Sequence, residues 1–518
     1  MVEQLNVFEP DPWRSREQED DFPVIGNDSE KEIIIPEPVY ILNMGQQNAF
    51  DWLIKFCLNE QDFCKVTLEG WAGVGKSFLL NRMVEGALKR DRGLGFGMTA
   101  PTHKAVRVLK RDSELKDKLD FGTIHSFLGL KEKVDDVTGK VTYEPEYLAG
   151  KPRRIEGVNV LIVDESSMLS DELFEHIETE MRSNRYLKVI YTGDPLQIPP
   201  VGKKQKTGVA TAIPFILERR QSHSIAHLVL SEPQRQAKES PIIMYATAIR
   251  EQHNRQVVDF DFKEEYTHAL EVVPKNIQVL TELLTKYFKS PEFEEDADYV
   301  KVIAWRNNVV NYFNNLIRTI IYGSETLPKF VRGEALVMDK PFVLRDKILI
   351  PNNEEVIVDS VQVLNTTIKY VELNKATFTT SKEAVELDSN GRVTKAWEAK
   401  VYLLTVIAPD EKRYQLTVLH EDSEKDYENI RGTLESAAKK SRDQFDRKEM
   451  WKQFYSVERA FAWVKYNYAV TAHKAQGSSY NYTFSMEFDM NGNKDIPERN
   501  SLKYVAATRS RTKLFIIK

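Results

Sequence analysis

The chain has 518 residues, 42% of them hydrophobic and 29% charged, with a formal net charge of -6. That length exceeds what one hydrophobic core fills and implies about two to four domains. The acidic balance argues against wholesale coating of nucleic acid and leaves room for a local basic channel. Two cysteines, Cys57 and Cys64, exclude a disulfide framework and a zinc set, and no apolar run reaches the ~18 residues of a membrane span. A cytoplasmic protein with no membrane partner is expected.

Residues 1–38, including VFEPDPWRSREQEDDFPVIGNDSE, are acidic, punctuated by proline and without periodicity. They read as a disordered, solvated extension, with Trp13 and Phe22 as anchors if it docks a replication or single-strand-binding protein. From about residue 40 short apolar strands alternate with helical patterns. KVTLEG, GLGFGMTAPT, VNVLIVDES and LKVIYTGD are apolar runs that end in small or polar residues, as buried parallel strands do. Cys57 and Cys64 fall in one helical pattern and suit a core face. A second region of the same kind, from about 216, includes YVKVIAWRN, YNYAVTAHKAQGSSY and LKYVAATRSRTKLFIIK. Period-two segments from about 346 to 420 interrupt it and predict a small antiparallel barrel; the charged stretch 421–450 predicts helix.

Gly70-x4-Gly75-Lys76-Ser77 follows a strand and precedes a helix, which is the context that makes it a phosphate loop. Gly73 and Gly75 let the backbone turn its N–H groups inward, Lys76 suits the β and γ phosphates, and the Ser77 hydroxyl suits Mg²⁺. VLIVDESS ends a strand with Asp164, a metal ligand through water, and Glu165, a general base for the attacking water. Gln197, in YTGDPLQIPPV, suits sensing of the γ-phosphate. His223 and His227 have metal-compatible spacing but no third ligand in the pattern, and read as ordinary histidines.

Loops expected at the same sheet edge, TAPTHKAVRVLK, GTIHSFLGL and VTAHKAQGSSY, are rich in hydroxyls and imidazoles that suit sugar–phosphate contacts. Arginines far from the phosphate loop, Arg235, Arg509 and Arg511, suit phosphoryl charge when a cleft closes. Two α/β domains clamping a nucleotide and a strand make a motor.

The series GQQNAF, GWAGVGKS, APTHKAV, TIHSFL, VDESSM, GDPLQIPPV, EPQR, TAHKAQGSSY and YVAATRSR resembles the motif set of superfamily 1B helicases, in order. It is most similar to the Dda-type phage helicases, with RecD-like enzymes as further relatives, over roughly residues 40–518. The resemblance implies an α/β fold of two RecA-like doubly wound parallel-sheet motor domains. It implies ATP and Mg²⁺ as cofactors, 5′→3′ movement on single-stranded DNA, and unwinding at single-strand/duplex junctions by a monomer in the bacterial host cytoplasm.

The same resemblance assigns Gln46 to the adenine, Arg235 and Arg509 as arginine fingers, and Gly477 to a turn touching strand and nucleotide. It places Thr102, His103, Thr123, His125, Thr471 and His473 on the strand path. It divides the chain into a first motor domain, 39–215, with a hairpin insertion at 127–157, and a second, 216–345 plus 456–518. An SH3-like barrel with a charged helical extension occupies 346–455. Tyr143, Tyr147, Trp305 and Tyr312 are candidate stacking rings. A single-strand clamp that remodels protein–DNA complexes and an RNA helicase are the alternatives.

Overall fold

In the computed structural model the described residues are 42–518, apart from 72, 112, 136–137, 148–151, 199–224, 233–238, 325, 345–346, 372–385 and 388–392. The expected extension 1–38, Arg235 and His223 lie outside them. No described helix is long and apolar enough to cross a membrane.

The apolar runs form strands where the sequence places them. They are β1 (Lys65–Gly70), β2 (Phe96–Ala100), β3 (Asp120–Thr123), a hairpin of β4 (Leu130–Val134) and β5 (Val141–Pro145), then β6 (Val160–Val163), β7 (Lys188–Gly193) and β8 (Ile225–Leu230). Six of them build one parallel sheet in the order β3-β2-β6-β7-β1-β8. Val66, Leu68, Met98, Ile162 and Ile190 are buried on it because helices cover both faces, and the central β6, VLIV, is apolar and buried on both sides. The boundary expected at 215 is corrected: IAHLVL is a sixth strand, in register with β1 from Lys65↔Ile225 to Gly70↔Leu230. The first sheet therefore continues through Leu230. A second correction concerns the cysteines. The first helix, Met44–Cys57, stops before Cys64, and the buried Cys57 thiol lies 3.5 Å from the Met83 sulfur.

The second sheet opens with β9 (Leu270–Val273) and β10 (Val300–Ala304). The chain then leaves it for β11 (Ala335–Met338), a β12–β13 ribbon (Phe342–Leu344 and Lys347–Ile350), β14 (Glu355–Val371), β15 (Glu386–Leu387), β16 (Val393–Ile407), β17 (Arg413–Leu419) and β18 (Val464–Tyr466). These pair as an antiparallel sheet, β15-β16-β14-β11-β18, with β17 on β16. Ala462, just before β18, donates its N–H to the Thr417 carbonyl on β17 at 2.7 Å, so the two edges approach as in a small barrel around Leu336, Val356, Leu404 and Leu416. The insertion is wider than 346–455, because β11 and β18 at its ends pair with each other. The chain then returns through β19 (Ala469–Thr471), β20 (Tyr480–Ser485) and β21 (Ser510–Ile517). The completed parallel order is β19-β10-β20-β21-β9.

The charged stretch forms two helices, Glu424–Lys440 and Gln444–Arg459. The second meets the β4–β5 hairpin. Gly139, at φ +67° in the hairpin turn, lies so close to the Trp451 ring that an added Cβ would sit 2.4 Å from it. Tyr455 Oη donates to the Gly139 carbonyl at 2.6 Å, and Arg459 pairs with Glu132. Only glycine fits there, on both the backbone and the contact criterion.

Candidate nucleotide site and the strand-end edge

At the end of β1 the chain turns through Gly73 (φ 79°) and Gly75 (φ 78°) into the helix Lys76–Arg90. The left-handed Gly75 is its N-cap and supplies no side-chain acceptor, so the first-turn N–H groups are left for a bound anion. Lys76 is folded onto its own loop, its ammonium donating to the carbonyls of Gly70 at 2.5 Å and Trp71 at 3.2 Å. A phosphate oxygen offers a stronger, charged acceptor for the same donors. Ser77 is exposed beside it. Gln46, assigned to the base, instead braces the loop here. Its Nε2 donates to the Val74 carbonyl at 2.9 Å, its Oε1 accepts from Asn43 N–H at 3.1 Å, and it is 1% exposed. Reading a base requires it to leave that brace.

β6 delivers Asp164 and Glu165 to the same edge, with β7 between β6 and β1. Asp164 N–H bonds the Thr99 carbonyl at 2.8 Å, fixing the turn against β2. Glu165 is held at φ 50°, a conformation rare for a non-glycine residue and found where surrounding structure enforces it. Burial, and then the neighbouring Glu165 carboxylate, push the Asp164 carboxyl well above its ordinary range, with Lys76 opposing. Gly193, ending β7, lets this turn approach: an added Cβ would sit 2.9 Å from Ser166 Oγ. Ser166 Oγ, Ser167 Oγ, Thr192 Oγ1 and Gln197 Oε1 are buried there without hydrogen-bond partners among the described residues. Buried polar atoms rarely go unpaired. A crowded carboxylate, an exposed hydroxyl at Ser77, a folded-back lysine and four orphaned polar atoms together fit a metal–phosphate group.

The second sheet reaches this edge. Gln476 Nε2 donates to the Ile198 carbonyl at 2.8 Å, and Gly477 (φ 70°) comes within contact of Ala105, its added Cβ 3.3 Å from the alanine's. Arg509 is 7% exposed, and its guanidinium donates to the carbonyls of Ser478 at 3.0 Å and Val505 at 3.3 Å and to Thr508 Oγ1 at 3.1 Å. In this state it ties the Gly477 turn to its own helix, and serving a phosphate means exchanging those carbonyls. Arg511 is outside that network, bonded to Ser479 Oγ at 2.6 Å.

Away from the phosphate loop, three strand-to-helix turns each carry a threonine with a histidine one or two residues on: Thr102 and His103, Thr123 and His125, Thr471 and His473. Thr102 Oγ1 accepts the Ala105 N–H at 3.2 Å, Thr123 Oγ1 that of Ser126 at 3.2 Å, and Thr471 Oγ1 that of Lys474 at 3.3 Å. Each threonine is thus a helix cap whose hydroxyl accepts from its own helix and still carries a hydrogen to donate, with Thr123 itself 4% exposed. β2 and β3 bring the first two together, Ala100 being in register with Thr123. His103, His125 and His473 all have pKa values lowered by burial, that of His125 further by His103. Tyr143 packs edge-on to His125 with ring centroids 4.8 Å apart, whereas Tyr147 is 72% exposed with Arg153 over its ring. Trp305 N–H is held by Asp489 at 2.8 Å, and Tyr312 is 53% exposed.

A model described as "AAA domain" matches residues 42–271, and one described as "UvrD-like helicase C-terminal domain" matches 466–517. The chain is 26% identical to the ATP-dependent DNA helicase dda of Enterobacteria phage T4, over 92% of this chain and 99% of that protein. Over nearly its whole length the chain is thus similar to a Dda-type helicase, and the two family-model matches agree with that likeness. It is also 24% identical to the uncharacterized protein R530 of Acanthamoeba polyphaga mimivirus, over 92% of this chain and 99% of that one. Among solved structures it is similar to a Pif1 helicase from Bacteroides in complex with ADP-AlF3 and ssDNA, with 15% identity, 92% of each chain covered and a TM-score of 0.46.

In this helicase the sequence reading passed over Trp71, Asp194, Arg250 and Tyr504. Asp194 is 0% exposed and accepts from Tyr504 Oη, Leu196 N–H at 3.1 Å and Arg250. The tryptophan inside the glycine-rich loop GWAGVGKS is the sequence feature that marks this cluster. His227, also discounted, bonds Thr67 Oγ1 at 2.6 Å and faces Glu69 at 3.4 Å. No group of metal-ligating side chains stands among the described residues.

Proposed function

We propose that this chain hydrolyses ATP to move 5′→3′ along single-stranded DNA and open the duplex ahead of it, as a monomer, in phage replication or recombination. The observation that carries the reading is the joint use of one edge. The phosphate loop, the Asp164–Glu165 turn and Gln197 gather beside Gln476 and Gly477 of the second sheet, while hydroxyls cap the helices at the Thr–His turns of both sheets. Lys76, Gly73, Gly75 and Ser77 cradle the phosphates, Glu165 takes the proton of the attacking water, and Gln197 senses the γ-phosphate. Arg235 and Arg509 stabilise its charge when the cleft is engaged. Ser77 and Asp164 would hold Mg²⁺, which would neutralise the developing charge.

Thr102, His103, Thr123, His125, Thr471 and His473 contact the strand, and Gln46 and Gly477 complete the nucleotide site. The first motor domain carries the hairpin insertion that parts the duplex, and the second carries the barrel and helices. Opening one base-pair step costs roughly 1.4 kcal/mol, so one hydrolysis per small step suffices. ATP hydrolysis measured with and without single-stranded DNA tests the reading. DNA stimulation that disappears in Lys76→Ala supports it, and hydrolysis indifferent to DNA overturns it.

A further inference from the structure

Trp71 is the second residue of the phosphate loop, and its ring belongs to two cores at once. It packs on the first-sheet cluster around Leu68 and Val74 and on the second-sheet cluster around Tyr245, Ile249 and Leu270. On its face lies Arg250, from the helix Pro241–Glu251, with the guanidinium carbon 3.8 Å from the ring centroid. The same guanidinium reaches Asp194 Oδ1 at 3.4 Å and Glu69 Oε1 at 3.9 Å. Asp194 in turn holds the loop that ends in Gln197, whose N–H bonds the Asp194 carbonyl at 3.2 Å, and it accepts from Tyr504 of the helix Ile496–Thr508. A planar, permanently charged fork is the one side chain able to stack on an indole and pair with two carboxylates together.

Two further observations tie this stack to the nucleotide. Lys76 donates to the Trp71 carbonyl, so turning the ammonium toward a phosphate releases the backbone of the residue that bears the ring. The Trp71 indole N–H is buried without a hydrogen-bond partner among the described residues, a demand left open in this arrangement.

We infer that Arg250 is a positioning residue that, through its stack on Trp71 and its pair with Asp194, links the phosphate loop and the Gln197 loop to the second sheet. It acts on turnover rather than on nucleotide binding. The inference rests on the reading of the chain as an ATP-driven motor. Neither residue touches the phosphates through its side chain; the link transmits the state of Lys76 to the Tyr504 helix, and the reverse.

The test is a double-mutant cycle on the full chain with saturating single-stranded DNA. Arg250→Ala and Trp71→Ala are each expected to lower kcat about tenfold with KM for ATP within about twofold. The double variant is expected to lose no more than the worse single one, because one linkage is removed twice. Trp71→Phe, which keeps a ring under the guanidinium, retains most activity, and Arg250→Lys, which keeps charge without the planar fork, falls between. Losses that multiply in the double variant, or a raised KM with unchanged kcat, overturn the inference.

A second readout needs no turnover and does not depend on the alanine variants folding. The emission difference between wild type and Trp71→Phe isolates Trp71. It is expected to change when a non-hydrolysable ATP analogue binds, and to respond far less in the Arg250→Lys background. An equal response in both backgrounds overturns the inference. Wild type that hydrolyses no ATP in the presence of DNA overturns the motor reading instead, and the emission arm still decides the linkage.

Discussion

The phosphate loop and the Thr–His turns are built on one device, a strand that ends where a helix begins, yet they hold anions differently. At the phosphate loop the N-cap is Gly75, with no side chain, and the helix start is joined by an ammonium, two carboxylates and orphaned hydroxyls. At Thr102, Thr123 and Thr471 the cap is a hydroxyl that satisfies its own helix and retains one hydrogen, beside histidines whose pKa values burial lowers. The first arrangement concentrates charge and suits bond-breaking; the second spreads neutral donors and suits a contact that must be made and released at each step. A motor needs both, and charge density at the helix start separates them.

Removing the concentrated charge breaks the comparison most severely. Lys76→Ala is expected to lower the DNA-stimulated rate of ATP hydrolysis by about 10³-fold or more, the scale of losing one cation at a transferring phosphoryl group. Single-strand affinity without nucleotide should stay within about twofold in an anisotropy titration. Glu165→Gln removes the base and keeps the shape, so a loss of about 10²–10⁴ in kcat with ATP still bound is expected. Steady-state kinetics together with binding of a fluorescent nucleotide would show it.

The hydroxyl caps should give a smaller and opposite pattern. Thr123→Val removes both the cap and the hydroxyl hydrogen, at a cost of roughly 1 kcal/mol of stability. It should weaken single-strand binding about three- to tenfold while leaving KM for ATP unchanged. A raised KM for ATP with intact strand binding would merge the two kinds of site. Smallest is the effect of pH. Because burial lowers the pKa of His103, His125 and His473, their contribution to stability is fully present above the unfolded value of about 6.5 and is lost as pH falls through the lowered values. Thermal midpoints should therefore drop by a few degrees on going from pH 7 to pH 5.5, and less in His125→Gln.

The parts of the site that were legible in the sequence are those made by local order. A strand, its polar end and the helix after it are contiguous, so the phosphate loop, VLIVDES and the Thr–His turns could be placed from pattern alone. What pattern could not show is distant pairing. IAHLVL looks like an isolated strand until it lies beside β1, and nothing near Gly139 announces Trp451. The motif pattern assigns Gln46 and Arg509 to a nucleotide, but each is buried with its donors engaged on carbonyls, Val74 for one and Ser478 for the other. Arg250 was passed over because its meaning lies in Trp71 and Asp194, which sequence distance hides.

The central claim is directional movement driven by hydrolysis, and strand separation on two matched duplexes tests it most directly. One duplex carries a 5′ single-stranded tail and the other a 3′ tail, each with ATP and Mg²⁺. The account predicts opening of the 5′-tailed duplex alone, and no opening by Lys76→Ala. Opening of the 3′-tailed duplex would contradict the polarity. Opening of neither, with DNA-stimulated hydrolysis intact, would contradict the helicase reading and leave an ATP-driven remodeller of protein–DNA complexes.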